Sequence, residues 1–300
     1  MTLKKVDIVA PSGNVLNLEE ITRTAALFIA RDWKVELGPT IYSSHQRFAG
    51  ETDRQRLNDF NYACTLGNNQ LVLAARGGYG MNRLLPYIDY EGIKEAGTWV
   101  AGFSDVTVFT LAYLAKCGGK SFQAPSASVL GNEKTDPWTI EQFFNALSSR
   151  SYSVPFSTEA ADMQAEGILW GGNLSVLVSM LGTEYFPKIK KGILFLEDVA
   201  EPYYKVERDL MHLKYSGVID EQSAIILGQF SKMRKSDHDF GYDLDHAVSF
   251  FSGITKVPVV DNLPFGHVDR TTTLVVGSQA KLRVRDGIAI LDVLESAGLS

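Results

Sequence analysis

Short apolar runs alternate with amphipathic stretches through the first half of the chain. Residues 6–10 are apolar apart from Asp7 and stop at Pro11-Ser12-Gly13, which predicts a buried strand and a turn. Asn17, with Glu20 three residues on, reads as a capping box, and Leu18, Ile21, Ala25 and Phe28 then recur at helical spacing. Residues 34–37 predict a second strand, 54–64 an amphipathic helix, and 70–75 a strand that runs into Arg76-Gly77-Gly78-Tyr79-Gly80. Trp99-Val100-Ala101 predicts another strand, which enters Gly102-Phe103-Ser104-Asp105 and then a helix over 106–117. Apolar strands separated by helices predict a parallel sheet covered on both faces. Ligands of such sheets bind beyond the C-terminal ends of the strands, where both the 77–80 loop and Ser104 stand.

The rhythm breaks between 131 and 165. Pro137, the 148–153 serine cluster, Pro155 and the polar 157–164 run read as a connection, with one helix near 139–147. Beyond it, residues 167–170 lead into Gly171-Gly172-Asn173 and a helix to 181. An apolar strand over 192–196 ends at Glu197-Asp198, followed by a helix over 206–215 and strands over 224–227 and 257–260. The last third holds β-rich runs at 272–276, 281–284 and 288–293, separated by Gly277-Ser278 and Asp286-Gly287, both hairpin signals. The pattern predicts an α/β protein: an N-terminal parallel-sheet domain over 1–130, a connection over 131–165, and a mixed domain over 166–300 ending in an antiparallel ribbon.

Composition narrows the function. With 300 residues, 45% of them hydrophobic, the chain can build one large core or two medium ones. The net charge is −6 and the basic residues are scattered, which argues against nucleic acid or an anionic membrane as partner. No apolar run approaches membrane-spanning length, and Asp7 and Pro11 interrupt the only run that follows N-terminal lysines. Cys64 and Cys117 fall in predicted helices without CxxC spacing, so buried thiols in a reducing compartment are expected, and no structural zinc. These features predict a soluble cytoplasmic protein.

A serine at a strand-to-helix turn is lifted out of the sheet, with helix N–H groups beneath it that can stabilise developing negative charge. Ser104 also reads as a helix cap, because Ser and Asp are favoured there. A nucleophilic serine needs a base, and the base an orienting acid. His45 sits in a polar loop, His212 in a helix, and His238 and His246 in the Asp-rich 236–246 stretch, which lacks HExxH or EF-hand spacing. His267 differs: it follows Pro264-Phe265-Gly266 just after a strand, and is either a base or a turn histidine. Glu197 directly follows four apolar residues, where an unpartnered carboxylate costs several kcal/mol, so an imidazole is its natural companion. Asp198 and Glu201 compete, and strand alternation cannot choose between 197 and 198. The 76–80 loop is no P-loop, and Arg83 stands where GxGxxG needs its last glycine. It offers either a tight turn or a backbone donor to pair with the N–H of Asp105 in an oxyanion hole.

Together these segments resemble the LD-carboxypeptidases, or muramoyl-tetrapeptide carboxypeptidases, serine peptidases related to the microcin-immunity peptidases. The resemblance rests on Ile8-Val9-Ala10-Pro11-Ser12-Gly13, Arg47-Phe48-Ala49-Gly50 with Arg56, and Arg76-Gly77-Gly78-Tyr79-Gly80 with Arg83-Leu84-Leu85. It continues through Gly102-Phe103-Ser104-Asp105, Leu169-Trp170-Gly171-Gly172-Asn173-Leu174, Leu196-Glu197-Asp198 and Phe265-Gly266-His267, covering nearly the whole chain. It implies Ser104 as nucleophile, His267 as base, Glu197 as orienting acid, and the N–H groups of Gly78 and Asp105 as oxyanion donors. It further implies an N-terminal domain similar to class I glutamine amidotransferases, a C-terminal domain bringing acid and base, no cofactor or metal, and a cytoplasmic homodimer. The implied reaction releases the terminal D-alanine of murein tetrapeptides by cleaving its amide to diaminopimelate or lysine, in cell-wall recycling. Arg76 is the candidate for the substrate's terminal carboxylate and Trp170 and Asn173 for pocket walls, with a structural role the alternative for each. The competing functions are a microcin-type peptide amidase, an α/β-hydrolase-like esterase, against which Val106 stands where G-x-S-x-G needs glycine, and a non-catalytic binding module.

Overall fold

The apolar runs of the first half become parallel strands because both of their faces are covered. The computed structural model describes residues 4–67 and 70–299. In chain order it contains β1 (Lys4–Val9), β2 (Trp33–Leu37), a short ribbon of β3 (Ser44–His45) and β4 (Phe48–Ala49), β5 (Leu71–Ala74), β6 (Trp99–Gly102) and β7 (Ser121–Gln123). The parallel sheet runs β7-β6-β5-β1-β2. Helices α1 (Leu18–Ile29), α2 (Asp53–Thr65), α3 (Tyr90–Ala96) and α4 (Thr107–Cys117) alternate with these strands. Asn17 caps α1 through the N–H of Glu19, but the expected box is incomplete: the Glu20 carboxylate accepts from Asn132 instead. Helix α4 is buried from Thr107 to Leu114 and stops at Gly118 in the left-handed conformation. Burial on so many sides marks it as the central helix, carrying the serine turn at its N-terminus.

After α5 (Ala127–Leu130), the stretch read as a connection holds α6 (Pro137–Ser148) and also a strand, β8 (Tyr152–Ser157). The rest contains β9 (Met163–Asn173), α7 (Leu174–Ser179), β10 (Ile193–Val199), α8 (Tyr203–Tyr215), β11 (Ala224–Ser231), α9 (Leu244–Ile254), β12 (Val259–Val260), β13 (Leu274–Val276), β14 (Gln279–Arg285) and β15 (Ile288–Val293). The second sheet runs β12-β11-β10-β9-β14-β15-β8. It is parallel on its β12 side and antiparallel on its β8 side, and β9 is long enough to serve both. The α/β class read from the pattern therefore holds, with a parallel-rich first sheet and a mixed second one.

Of the two hairpin signals, Asp286-Gly287 turns β14 into β15, both residues having positive φ as a tight two-residue turn requires. Gly277-Ser278 does not make a hairpin. β13 crosses to the first sheet and pairs antiparallel with β7, Val275 opposite Phe122. The dipeptide carries the chain back to β9 instead: the Gly277 N–H donates to the Leu169 carbonyl at 2.8 Å, and the Leu169 N–H to the Ser278 carbonyl at 2.8 Å. One apolar cluster runs through both sheets, so the two halves share a seam. Among the described residues, no helix is long and apolar enough to cross a membrane.

Candidate active site

The turn after β6 is too tight for ordinary backbone angles. Ser104 has φ of +61°, a left-handed conformation that costs a residue with a β-carbon about 1–2 kcal/mol. It opens a short 3-10 turn that runs into α4, and no side chain caps that turn, so the capping role is not the one Ser104 plays. A strained serine on a strand–turn–helix junction is the geometry of a nucleophile elbow. The loop after β5 passes directly against it: a β-carbon on Gly77 would fall 2.8 Å from the Ser104 Cβ. Glycine is required there because the serine already fills the space.

Loops from three neighbouring strand ends meet around the serine. The Gly13 N–H, after β1, donates to the Gly77 carbonyl at 2.9 Å. Gly78 is exposed and has φ of +103°. The Asp105 N–H lies in the first turn of the helix, where backbone donors have no intrahelical acceptor. Arg76 donates to the Asn14 carbonyl at 3.1 Å, and among the described residues it meets no carboxylate. The arginines and Phe48 singled out in the sequence brace this loop from behind. The guanidinium groups of Arg56 and Arg83 lie 4.9 and 4.2 Å from the Phe48 ring centroid, and the ring packs against Tyr79.

Three carboxylates competed for the imidazole, and the geometry separates them. Glu197 is wholly buried, and its Oε2 lies 2.7 Å from Nδ1 of His267. Asp198 accepts instead from the N–H groups of Ser175 and Val199, at 2.9 and 2.8 Å. Burial raises the Asp198 pKa. Glu201 pairs with Lys205 at 3.1 Å. The register shift opposite Leu196 and Asp198 places an extra residue in β11, while β10 stays regular against β9, and the consecutive Glu197 and Asp198 share Asn173 as a donor. A carboxylate on Nδ1 holds the proton there and leaves Nε2 with its lone pair. The His267 ring packs on Phe103, the residue before Ser104, with centroids 4.6 Å apart.

Asn173 closes the arrangement. Its Nδ2 donates to Glu197 at 3.1 Å and Asp198 at 2.9 Å, while its Oδ1 accepts from the Val176 N–H, capping α7. Its backbone N–H donates to the Thr107 hydroxyl at 3.2 Å, in the first turn of α4. The support of the acid is thus tied to the serine's own helix. Gly266 makes room: it has φ of +147°, and a β-carbon there would lie 2.7 Å from the Gln229 carbonyl and 3.2 Å from Glu197 Oε2. Gly266→Ala is expected to lower kcat by about a hundredfold through displaced His267. It should also destabilise by roughly 1–3 kcal/mol, read by steady-state kinetics and chemical denaturation.

The two residues read as either pocket walls or structural groups take the structural role. Trp170 is wholly buried, donates its indole N–H to Gln222 at 2.9 Å and packs edge-on against Phe186, so it belongs to the core. Asn173 is buried under the acid rather than beside a substrate. Arg76 does border the site, with Nη1 3.4 Å from where a β-carbon of Gly78 would stand. The sequence reading missed Thr107, since a threonine in an apolar helix gives no sign of facing another strand end. His45, His212, His238 and His246 are exposed, and the described residues contain no cluster of three or more potential metal ligands.

Comparison with known proteins identifies the family. The model of the LD-carboxypeptidase N-terminal domain matches residues 6–124, and that of the LD-carboxypeptidase C-terminal domain matches 166–282. The murein tetrapeptide carboxypeptidase of Pseudomonas aeruginosa is 29% identical over 289 residues, covering 93% of this chain and 92% of that protein. A solved muramoyltetrapeptide carboxypeptidase from Oxalobacter formigenes is 36% identical with a TM-score of 0.90, over 98% of this chain and 99% of that one. MccF, solved with glutamyl sulfamoyl guanosine, shares the fold at 22% identity and a TM-score of 0.87, over 99% of this chain and 97% of its own. With both halves matched by one family and relatives aligned almost end to end, the chain belongs to the LD-carboxypeptidase family of peptidases.

Proposed function

We propose that the protein is a serine carboxypeptidase that hydrolyses the L,D-amide joining diaminopimelate, or lysine, to the terminal D-alanine of murein tetrapeptides. The observation that carries this reading is the buried Glu197–His267 pair, 2.7 Å apart, packed against the residue that precedes a strained serine. Ser104 attacks the carbonyl of the scissile amide. Nε2 of His267 takes the hydroxyl proton and returns it to the departing D-alanine amine. Water, deprotonated by the same imidazole, clears the acyl-enzyme. Glu197 orients the ring and stabilises its protonated form. The N–H groups of Gly78 and Asp105 receive the oxyanion, each worth roughly 3–4 kcal/mol of transition-state stabilisation. Arg76, free of any carboxylate among the described residues, receives the substrate's terminal carboxylate. The reading carries with it a cytoplasmic homodimer acting in cell-wall recycling.

Incubation with a murein tetrapeptide is expected to release free D-alanine and leave the tripeptide, identified by mass spectrometry and chiral amino-acid analysis. Turnover of p-nitrophenyl esters with no D-alanine released would overturn it in favour of an esterase. Cleavage of an aminoacyl sulfamoyl nucleoside in place of the tetrapeptide would favour the microcin-type amidase.

A further inference from the structure

The side chain of Asp105 has no place in the mechanism above, which uses only its backbone N–H. It is nevertheless 98% buried, its relative exposure being 2%. An isolated carboxylate in such a place costs several kcal/mol unless its oxygens are bonded. Its partners come from two other loops. Oδ2 accepts from the Met81 N–H at 2.9 Å and from the Ser12 hydroxyl. The Gly80 N–H also reaches the carboxylate. Ser12 follows β1, Gly80 and Met81 follow β5, and Asp105 follows β6. One carboxylate therefore gathers the ends of three adjacent parallel strands.

Both donors of the proposed oxyanion hole lie within two residues of these bonds. The Asp105 N–H belongs to the same residue, and Gly78 stands two residues before Gly80. The 77–80 loop is glycine-rich and has φ values of +103° at Gly78 and +151° at Gly80, so its own sequence does little to fix its position. Ser12 holds the loop from the other side, where a β-carbon on Gly80 would meet its carbonyl at 3.2 Å. The network thus sets the spacing between the two donors.

We infer that the Asp105 carboxylate is a positioning residue: it sets the two oxyanion donors and so acts on transition-state stabilisation rather than on substrate affinity. This rests on the serine mechanism proposed above. Asparagine can keep the Met81 and Ser12 bonds through its carbonyl oxygen, but it turns an N–H toward Gly80. Alanine keeps none.

The test measures kcat and KM for D-alanine release, with unfolding midpoints, for Asp105→Ala, Asp105→Asn, Ser12→Ala and Ser104→Ala. Asp105→Ala is expected to lower kcat by roughly a hundredfold, Asp105→Asn by about tenfold, and Ser12→Ala by several-fold, with KM within about twofold throughout. The graded loss in kcat alone, with partial rescue by asparagine, is the signature a purely structural residue does not give. Ser12→Ala and Asp105→Asn carry the test if Asp105→Ala does not fold. If these variants keep kcat within twofold while melting earlier, or if KM rises in place of the kcat loss, the inference falls. Turnover retained by Ser104→Ala would instead remove the serine reading itself.

Discussion

Ser104→Ala is expected to abolish D-alanine release, a loss of about 10⁴-fold or more in kcat, while shifting the unfolding midpoint by no more than about 2 °C. The two halves of this prediction have separate causes. The hydroxyl caps no helix, so its removal leaves no orphaned helix N–H. The methyl that remains keeps the same φ of +61° and the same contact with Gly77. Ser104→Gly separates strain from chemistry. It should be equally inactive yet no less stable than wild type, because glycine adopts the left-handed conformation without the roughly 1 kcal/mol that a β-carbon costs there. Turnover retained in either variant, measured as released D-alanine, would end the serine mechanism. A large drop in the unfolding midpoint of Ser104→Ala would mean that the serine supports the fold.

What the sequence revealed and what it hid follow from the same physics. Buried parallel strands are apolar runs, so β1, β2, β5 and β6 and the polar residues at their ends could be read directly, whereas the short β7, Ser121–Gln123, gave no such run. That Ser104 occupies such an end was legible, but its left-handed backbone was not, because nothing in Gly-Phe-Ser-Asp distinguishes a capped helix from a strained elbow. The choice between Glu197 and Asp198 was closed to any periodicity argument, since both carboxylates are buried and both accept from Asn173, so neither face of β10 stands out. Its place after four apolar residues made Glu197 a candidate, and the family resemblance chose it over Asp198 and Glu201. For Trp170 and Asn173 the structural alternative holds: Trp170 bonds Gln222 inside the second half, and Asn173 bonds Thr107 across the seam. Gly277-Ser278 has the composition of a hairpin turn, and only the tertiary pairing of β13 with β7 decides otherwise.

The seam also explains why the acid and base reach the serine from the other half of the chain. The Thr107 hydroxyl accepts from the backbone of Asn173, the Asn173 amide donates to Glu197, Glu197 meets His267, and His267 packs beside Ser104 on Phe103. The first and last links cross between the two halves, so the circuit exists only when both sheets are docked. Local opening of the seam is therefore expected to cost activity before it costs fold, since the apolar cluster on either side is extensive.

Glu197→Gln makes the sharpest use of this circuit. The substitution preserves size and removes only the charge, so the expected loss of about 10³–10⁴-fold in kcat arises from proton placement. A glutamine here is not free to choose its orientation. The Nδ2 of Asn173 donates to the Oε1 position at 3.1 Å, and Asn173 cannot turn over, because its own Oδ1 accepts from the Val176 N–H. The glutamine oxygen must therefore face Asn173, which places its NH₂ group 2.7 Å from His267 Nδ1. Nδ1 then has to accept rather than donate, the imidazole proton moves to Nε2, and the nitrogen meant to receive the serine proton no longer has a lone pair to offer. KM should change little, since no substrate contact is lost. The tautomer exchange should be visible in the ¹⁵N chemical shifts of the labelled imidazole. A variant that keeps wild-type kcat, or one that loses activity with His267 still protonated on Nδ1, would show that Glu197 does not orient the base. If Glu201→Gln were the more damaging substitution, the acid would have to be reassigned to Glu201.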